Sequence, residues 1–240
     1  MATTTGSAIG KEVAMSTHVL VVFYSTYGHT HRMAGAVVEG ACDLSDTEVR
    51  LRRVPELPDA RRALAGVEGY RRAQEAQSTI PEVTHDDLRW AHGIAWGTPT
   101  RFGNMCAQMK QFLDTTGPLW QSGELEDKPA GVFTSTSTVQ GGHETTILSI
   151  MLPLLHLGMI LLGTPYGQNP QMLTTESIGS SPYGPGTIAG LDGSLEPKEQ
   201  DLRTARNLGG RIARFASAAM TVAAEGRHGL QPEASAYRAA

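Results

Sequence analysis

The chain has 240 residues, of which 40% are hydrophobic and 18% charged, and its formal net charge is −4. This length suits one domain with a full core, or at most two small ones. The weak negative charge gives no reason to expect nucleic acid or an anionic membrane surface as a partner. The two cysteines, Cys42 and Cys106, offer neither a disulfide framework nor metal-ligand spacing, which favours a reducing cytoplasm.

Neither the N-terminal segment nor the most apolar segment has the pattern of a membrane-targeting element. Residues 1–17 are small and polar without a continuous apolar stretch, so we predict a disordered tail and no signal peptide. Residues 147–163 are the most apolar stretch, but they are too few for a membrane span and are interrupted by Pro153 and His156. We therefore predict no transmembrane segment.

The first strong pattern covers residues 18–30, HVLVVFYSTYGHT. Its first seven residues are apolar and mostly β-branched or aromatic, which predicts a buried strand. A hydroxyl-rich loop, Ser25–Thr30, follows, and a helical pattern begins at once over residues 31–41. Such a loop can hold phosphate, because backbone N–H groups and the helix dipole face the anion. The loop contains no Lys or Arg, so neutral donors would bind the phosphate.

This loop lacks the motifs of two common nucleotide sites. A dinucleotide fingerprint needs three glycines spaced G-x-G-x-x-G, and a triphosphate loop needs Gly-Lys-Ser/Thr. Residues 25–30 contain one glycine and no lysine. The loop instead resembles the short FMN-phosphate loop of flavodoxin-like proteins. On this stretch alone, a plain strand-to-helix turn capped by Thr30 remains the alternative.

The rest of the chain continues an alternation of strands and helices. Residues 48–54 alternate in polarity and predict a half-exposed second strand, whereas residues 55–85 are charged and weakly patterned and predict a surface insertion with some helix. Later patterns predict strands at 93–98, 130–134 and 159–162, helices at 104–114, 144–157 and 197–222, a long loop at 163–196, and a loose tail at 223–240.

This order predicts one α/β domain over residues 18–222, a doubly wound five-stranded parallel sheet with helices on both faces. In such sheets ligands bind outside the carboxyl ends of the strands. Three polar loops follow predicted strands, at residues 25–30, 99–104 and 135–142. We therefore expect these loops to converge on one edge of the sheet.

The second of these loops combines rigidity with a positive charge. Pro99 stiffens the turn, Gly103 permits close backbone approach, and Phe102 is able to stack or fill space. Arg101 would lie beside the expected flavin ring, where its charge favours the anionic reduced flavin and steers an anionic substrate. The alternative for Arg101 is an ordinary surface salt bridge.

Three further segments are similar to one family. They read GTPTRFGNM at 97–105, QMKQFLDTTGPLW at 108–120 and SPYGPGTIAGLDGS at 181–194. They resemble the WrbA-type NAD(P)H:quinone oxidoreductases of the flavodoxin-like superfamily, and the match runs from about residue 19 to residue 215. The resemblance implies FMN as cofactor, NADH or NADPH as electron donor, quinones as substrates, and a homodimer or homotetramer.

The resemblance also implies the roles of individual residues. Tyr27 would touch the nicotinamide nucleotide, Trp120 would form one wall of the substrate pocket, and His156 would approach the isoalloxazine of its own or a neighbouring subunit. Trp120 and His156 are thus the catalytic candidates, and His156 is also an FMN contact. The other FMN-binding candidates lie in the three loops: Ser25, Thr26, Tyr27, Gly28, His29, Thr30, Pro99, Thr100, Arg101, Phe102, Gly103, Ser135, Thr136, Ser137, Thr138 and Gly141.

Two departures from the family pattern affect these assignments. The loop that begins at Ser135 is bulkier than the glycine-dominated version common in the family, which leaves the register beyond Thr136 open. Leu157 stands where many members have a second histidine, so His156 would act alone. A lone histidine in an apolar helix also has a structural alternative, that of a satisfied core residue. His29 and His31 have no carboxylate or thiolate partners nearby in sequence, and we predict no metal site.

The predicted activity is two-electron reduction of quinones by ping-pong hydride transfer through flavin N5. His156 would polarise a quinone oxygen or supply a proton, since its reference pKa lies near neutrality. One flavin face that serves two substrates in turn predicts ping-pong kinetics. The alternative is a flavodoxin-like electron carrier or regulatory flavin-binding module without quinone turnover. A carrier usually docks through a strongly acidic face, and a net charge of −4 argues against one.

Overall fold

The computed structural model describes residues 16–226, with side chains up to residue 222. The tails predicted at 1–17 and 223–240 therefore lie mostly outside the described residues. Where they overlap with them, the backbone is regular: Thr17 begins the first strand, and the last helix continues to Gly226.

Residues 16–226 form six strands and eight α-helices. The strands are β1 Thr17–Phe23, β2 Thr47–Arg53, β3 Gly93–Pro99, β4 Pro129–Thr136, β5 Ile160–Leu161 and β6 Gly186–Ile188. The helices are α1 His29–Cys42, α2 Pro58–Leu64, α3 Glu68–Ala76, α4 His85–Trp90, α5 Ala107–Asp114, α6 Gly117–Gln121, α7 His143–His156 and α8 Glu199–Gly226, and a 3₁₀ turn covers Pro170–Met172.

The strands form one parallel sheet in the order β2-β1-β3-β4-β5. This order confirms the predicted doubly wound five-stranded α/β fold. The short strand β6 adds to it by pairing with the carboxyl end of β4, with Ser135 opposite Thr187. The sequence pattern missed β6 within the predicted long loop, because three residues are too few to show a strand period.

Side chains of β1 alternate between two hydrophobic layers. Val19, Val21 and Phe23 face α1 and α8, whereas Leu20 and Val22 face the layer that contains α5 and α7. Both layers are fully buried at β1, which explains the continuous apolar run there. The sheet is thus covered on both faces. The polar side chains of interest lie in the loops at its carboxyl edge.

The segment predicted as a surface insertion forms α2 and α3, and its last residue, His85, begins α4. Its outer side is charged, but Tyr70, Ala73 and Gln77 on and beside α3 are buried. This buried side packs beside the loop that follows β1, since Gln77 donates a hydrogen bond to the Ser25 carbonyl. The segment thus belongs in part to the support of the first polar loop.

None of the helices within residues 16–226 is both long and apolar enough to cross a membrane. In the same residues, no group of three or more His, Cys, Asp or Glu side chains is placed to hold a metal ion. Both cysteines are free thiols; Cys42 is exposed and Cys106 is buried.

Candidate functional site

The three polar loops converge at the carboxyl edge of the sheet, as the topology led us to expect. Two side-chain contacts tie them together: the hydroxyl oxygens of Thr30 and Ser135 lie 3.0 Å apart, and Arg101 donates from Nη2 to Thr26 Oγ1 at 2.8 Å. The loops enclose a cleft lined by Ser25, Thr26, Tyr27, His29, Thr30, Pro99, Thr100, Arg101, Ser135, Thr136, Ser137 and Ala189. We call this the loop cleft.

The first loop presents the N-terminus of α1 to the cleft. Gly28 is the N-cap residue, with a φ of 98° that favours glycine, and no side chain caps the helix. The Ser25 hydroxyl accepts the Gly28 N–H at 3.0 Å and closes the turn. The first N–H groups of a helix have no intrahelical acceptor, so they are available to an anion. Thr30 therefore does not cap the helix, and the plain capped-turn alternative is not what the structure has.

The residues at this helix end fit the phosphate of FMN. Ser25, Thr26 and Thr30 are buried hydroxyl donors beside the uncapped helix N-terminus. Neutral donors and the helix dipole suit a phosphate dianion without a lysine. The hydroxyls of Ser135 and Thr136, at the end of β4, lie on the opposite wall of the cleft. This donor set matches a phosphate and a hydroxylated ribityl chain.

Arg101 bridges two of the loops, and it forms no salt bridge with any side chain within the part of the chain that the structure describes. Its Nη1 donates to the Thr100 carbonyl at 2.8 Å, and its Nη2 donates to the Thr26 hydroxyl at 2.8 Å. The guanidinium therefore has uncharged acceptors, and its positive charge is not neutralised by them. That charge remains available to a ligand at the rim of the cleft.

Two glutamines of the 55–85 segment fix the position of the first loop through hydrogen bonds to its backbone. Gln74 and Gln77 both donate from Nε2 to the Ser25 carbonyl, at 3.2 and 2.9 Å. Gln77 is buried, so this contact is shielded from competing water. The position of Ser25 thus depends on a segment about 50 residues away in sequence.

A buried carboxylate, Glu56, joins the strand end to this segment. It accepts hydrogen bonds from the hydroxyls of Tyr24 and Tyr70, at 2.6 and 3.0 Å, and from the Gln108 amide at 2.6 Å. Burial, followed by the contact with Glu56, raises the pKa of Tyr24 well above its usual value and that of Tyr70 to about 12. Both phenols therefore remain donors at neutral pH, and the cluster connects β1, α3 and α5.

Several predicted FMN contacts do not line the loop cleft. Phe102 has a φ of 54° and a fully exposed side chain, and it projects with Gly103 from the tip of the second loop. Thr138 and Gly141 lie in a turn closed by the Gly141 N–H and the Thr138 carbonyl at 3.1 Å. Gly28 contributes to the helix N-terminus but lines a neighbouring cleft.

The two catalytic candidates lie far from the loop cleft of their own chain. Helix α7 begins at His143 beside Thr136, and its 14 residues extend over about 21 Å before His156. His156 is exposed, close to the amino ends of β4 and β5. Trp120 is 55% exposed on α6, which leads back toward the start of β4. Because His156 is exposed, the alternative of a satisfied core residue is wrong. Its approach to a flavin, of its own or of a neighbouring subunit, stays a prediction.

The sequence analysis missed Ala189 as a cleft residue. Ala189 follows β6, and its N–H donates to the Thr136 carbonyl at 2.7 Å, which brings the motif TIAGLDGS to the cleft. The supporting side chains Glu56, Gln74 and Gln77 were missed as well. The motif over 181–194 was the available signal for Ala189; no local pattern marks the other three.

Burial lowers the pKa of His29, His31, His92 and His143, and Arg32 lowers the first two further. In the unfolded chain these histidines have ordinary pKa values near 6.5. Below that pH the unfolded chain therefore binds more protons than the folded chain does. We expect the free energy of unfolding to be constant above about pH 7 and to fall by about 1–4 kcal/mol by pH 5.5.

Urea unfolding at pH 7.5, 6.5 and 5.5 measures this dependence. His31→Gln removes one of the four groups and should reduce the slope by up to about 1.4 kcal/mol per pH unit. Equal stability of the wild type at pH 7.5 and 5.5 would contradict the assignment.

Comparison with known proteins agrees with this architecture. Residues 17–170 match the family model described as NADPH-dependent FMN reductase. Proteins named NAD(P)H dehydrogenase (quinone) from Geotalea uraniireducens and Geobacter metallireducens are 50% and 51% identical, over 83% of this chain and 97% of each relative. A WrbA-like flavodoxin structure from Agrobacterium tumefaciens aligns with a TM-score of 0.56 at 28% identity, over 84% of this chain and 98% of that one. The chain therefore belongs to the NADPH-dependent FMN reductase family, among its members named NAD(P)H dehydrogenase (quinone).

Proposed function

We propose that the chain reduces quinones by two electrons at the expense of NADH or NADPH, with FMN held in the loop cleft. The observation that carries this proposal is the uncapped N-terminus of α1, surrounded by hydroxyl groups at the carboxyl edge of the sheet. Relatives that are 50% identical over most of the chain are named for this activity. Family membership makes the chain an FMN-dependent oxidoreductase that uses NAD(P)H. The free thiols fit a reducing cytoplasm as its location.

Each part of the loop cleft has a distinct task in this proposal. The N–H groups of His29 and Thr30 and the hydroxyls of Ser25 and Thr26 would bind the phosphate. Ser135 and Thr136 would bind the ribityl chain, and Thr100 and Arg101 would lie along the ring. When bound, FMN supplies the redox chemistry, since it takes two electrons from a nicotinamide nucleotide and passes them to a quinone.

Arg101 would set the electrostatics of the ring site. Its guanidinium is held by neutral acceptors, so its charge is free to favour the reduced, anionic form of the cofactor. We expect Arg101→Gln to lower the midpoint potential of bound FMN by roughly 20 mV, because about 1 kcal/mol corresponds to that shift in a two-electron couple. A spectroelectrochemical titration measures it. Arg101→Lys keeps the charge and should retain most of the wild-type potential; a potential unchanged in Arg101→Gln would refute this role.

Tyr27 would hold the nicotinamide nucleotide, and a quinone would then use the same place. Tyr27 is 48% exposed at the mouth of the loop cleft, where a ligand is able to reach it. Successive use of one place predicts ping-pong kinetics. Initial rates at several fixed quinone concentrations should give parallel double-reciprocal lines, and intersecting lines would rule out the shared place.

Self-association would bring His156 and Trp120 to a neighbouring subunit's flavin. The exposed side of α7 carries Leu148, Leu152 and Leu155, spaced as one stripe and 42–64% exposed. Exposed apolar patches of this kind mark interaction surfaces. We propose a homodimer or homotetramer, in which His156 polarises a quinone oxygen and Trp120 forms a pocket wall. Light scattering coupled to gel filtration measures the mass, and a monomer that turns over quinone at the full rate would exclude this arrangement.

The deciding experiment is NADH and NADPH oxidation by the FMN-saturated protein, with and without benzoquinone. Quinone-dependent consumption over many turnovers supports the reductase. Flavin binding without consumption of either nucleotide would leave the fold and the cofactor site intact and would favour the electron carrier.

A further inference from the structure

A second cleft lies directly beside the loop cleft. It has a volume of about 860 Å³ and runs between the start of α1, helix α3 and the loop that follows β6. Tyr27, His29 and Ser137 line both clefts, so the two are continuous around the Tyr27 side chain. The volume lies within the range of small-molecule sites in proteins. A ligand that contacts Tyr27 at the flavin site is therefore able to extend into this second cleft.

The walls of the second cleft combine apolar and backbone surface. Val67 and Leu191 line it and are 40% and 89% exposed, although both are large aliphatic residues. Gly69 brings α3 close to Tyr27, since a Cβ at Gly69 would lie 3.8 Å from Tyr27 Cδ1. Aliphatic side chains at such an opening suit the faces of a flat, largely apolar ring such as a purine.

Two arginines line this cleft, and Arg72 is the more exposed and the less closely paired of the two. Arg32 also lines the cleft, but it forms an ion pair with Glu196. Asp192 is engaged within its own turn, because its carboxylate accepts the Ser194 N–H at 3.0 Å. Arg72 has Glu68 at 3.7 Å, and both side chains are more than two-thirds exposed. An exposed pair of this kind is weak, so a phosphate in the cleft competes with Glu68 for the guanidinium.

We propose that the second cleft binds the adenosine-phosphate half of NAD(P)H and that Arg72 contacts one of its phosphates. The inference rests on the proposed function, because it requires a nicotinamide nucleotide at Tyr27. It assigns a cofactor-recognition role to α3, the helix that also holds the first loop through Gln74. The nucleotide's nicotinamide end would lie at the loop cleft and its adenosine end between Val67 and Leu191.

The test compares Arg72→Ala with Arg71→Ala in the FMN-saturated protein. Both residues are exposed on α3, but Arg71 does not line the cleft, which makes it a matched control for the loss of charge. We expect Arg72→Ala to raise the KM for NADPH about 10-fold with kcat unchanged, because a charge-assisted hydrogen bond is lost from binding alone. Arg71→Ala should change this KM less than twofold, and Arg72→Lys should recover part of the loss.

Calorimetry with 2′,5′-ADP on the FMN-saturated protein gives a readout independent of turnover. The wild type should bind this probe, and Arg72→Ala should bind it about 10-fold more weakly. A KM that rises for NADPH alone places Arg72 at the 2′-phosphate, and an equal rise for NADH places it at the diphosphate. Equal behaviour of Arg71→Ala and Arg72→Ala, or no binding of 2′,5′-ADP by a protein that oxidises NADPH, would overturn the inference. If the wild type oxidised neither nucleotide, that result would instead contradict the proposed function.

Discussion

Ser25→Asp should weaken FMN binding by at least about 100-fold while it leaves the fold intact. The aspartate keeps an acceptor for the Gly28 N–H, which Ser25 Oγ now binds at 3.0 Å. It also places a negative charge where the phosphate would bind. Two unit charges about 4 Å apart repel by about 4 kcal/mol at an effective dielectric constant near 20, which exceeds the energy of a 100-fold loss. Fluorescence titration of the apoprotein with FMN measures the affinity.

The control for Ser25→Asp is the same charge change elsewhere. Ser45 is exposed in the turn between α1 and β2, at the end of α1 remote from the loop cleft. Ser45→Asp should therefore bind FMN within about twofold of the wild type, because exposed charges beyond a Debye length are screened. Wild-type FMN affinity in Ser25→Asp would show that the phosphate binds elsewhere.

Glu56→Ala should destabilise the folded chain by about 3 kcal/mol or more, since each buried polar group left without a partner costs about 1–3 kcal/mol. The substitution removes the acceptor shared by Tyr24, Tyr70 and Gln108, all of which are buried. Because Tyr24 precedes Ser25, FMN affinity should fall as well. Urea unfolding with and without FMN measures both effects.

Two variants control for the loss of the Glu56 side chain. Glu56→Gln keeps the volume and one acceptor oxygen, so it should cost roughly half as much as the alanine variant. Glu75→Ala removes an exposed glutamate from α3 and should cost less than about 0.5 kcal/mol. If Glu56→Ala unfolded within 1 kcal/mol of the wild type, the buried cluster would not be what joins β1 to α3.

The first strand and the loop after it were predictable because their signals are local. Strand β1 is buried on both faces, so it appears in the sequence as a continuous apolar run. The loop from Ser25 to Thr30 follows it directly, and the helix pattern begins within the same stretch. The parallel arrangement of the strands followed from the strand–helix alternation, and the convergence of the loops followed from that arrangement.

The support behind the first loop was not predictable in this way. Residues 55–85 read as a charged surface segment, because most side chains of α2 and α3 are polar and only one side of α3 is buried. The contact of Gln77 with Ser25 spans 52 positions in the sequence, and Glu56 meets Gln108 across the same separation. Such pairs depend on how the segment folds back on the sheet. The local hydrophobic period of the sequence does not contain this information.

Sequence similarity gave His156 and Trp120 as catalytic candidates, but it contained no information on their distance from the loop cleft. Helix α7 takes the chain from the carboxyl edge of the sheet to the amino edge, and α5 and α6 do the same for Trp120. In one chain both residues therefore lie at the edge opposite the loops. This placement is the reason that the proposed roles of both residues include a second subunit.

The sequence by itself determined the fold class, the three loops and the family. The hydrophobic period, the turn-forming residues and the motifs each depend only on residues that are close together in the sequence. The tertiary structure alone decided which loop residues face the cleft, what holds Ser25 in place, and that a second cleft opens beside Tyr27. These features arise where segments far apart in the chain pack together, such as α3 against the first loop and β6 against β4. Their geometry is fixed by burial and hydrogen bonding between those segments, which only the folded chain brings into contact.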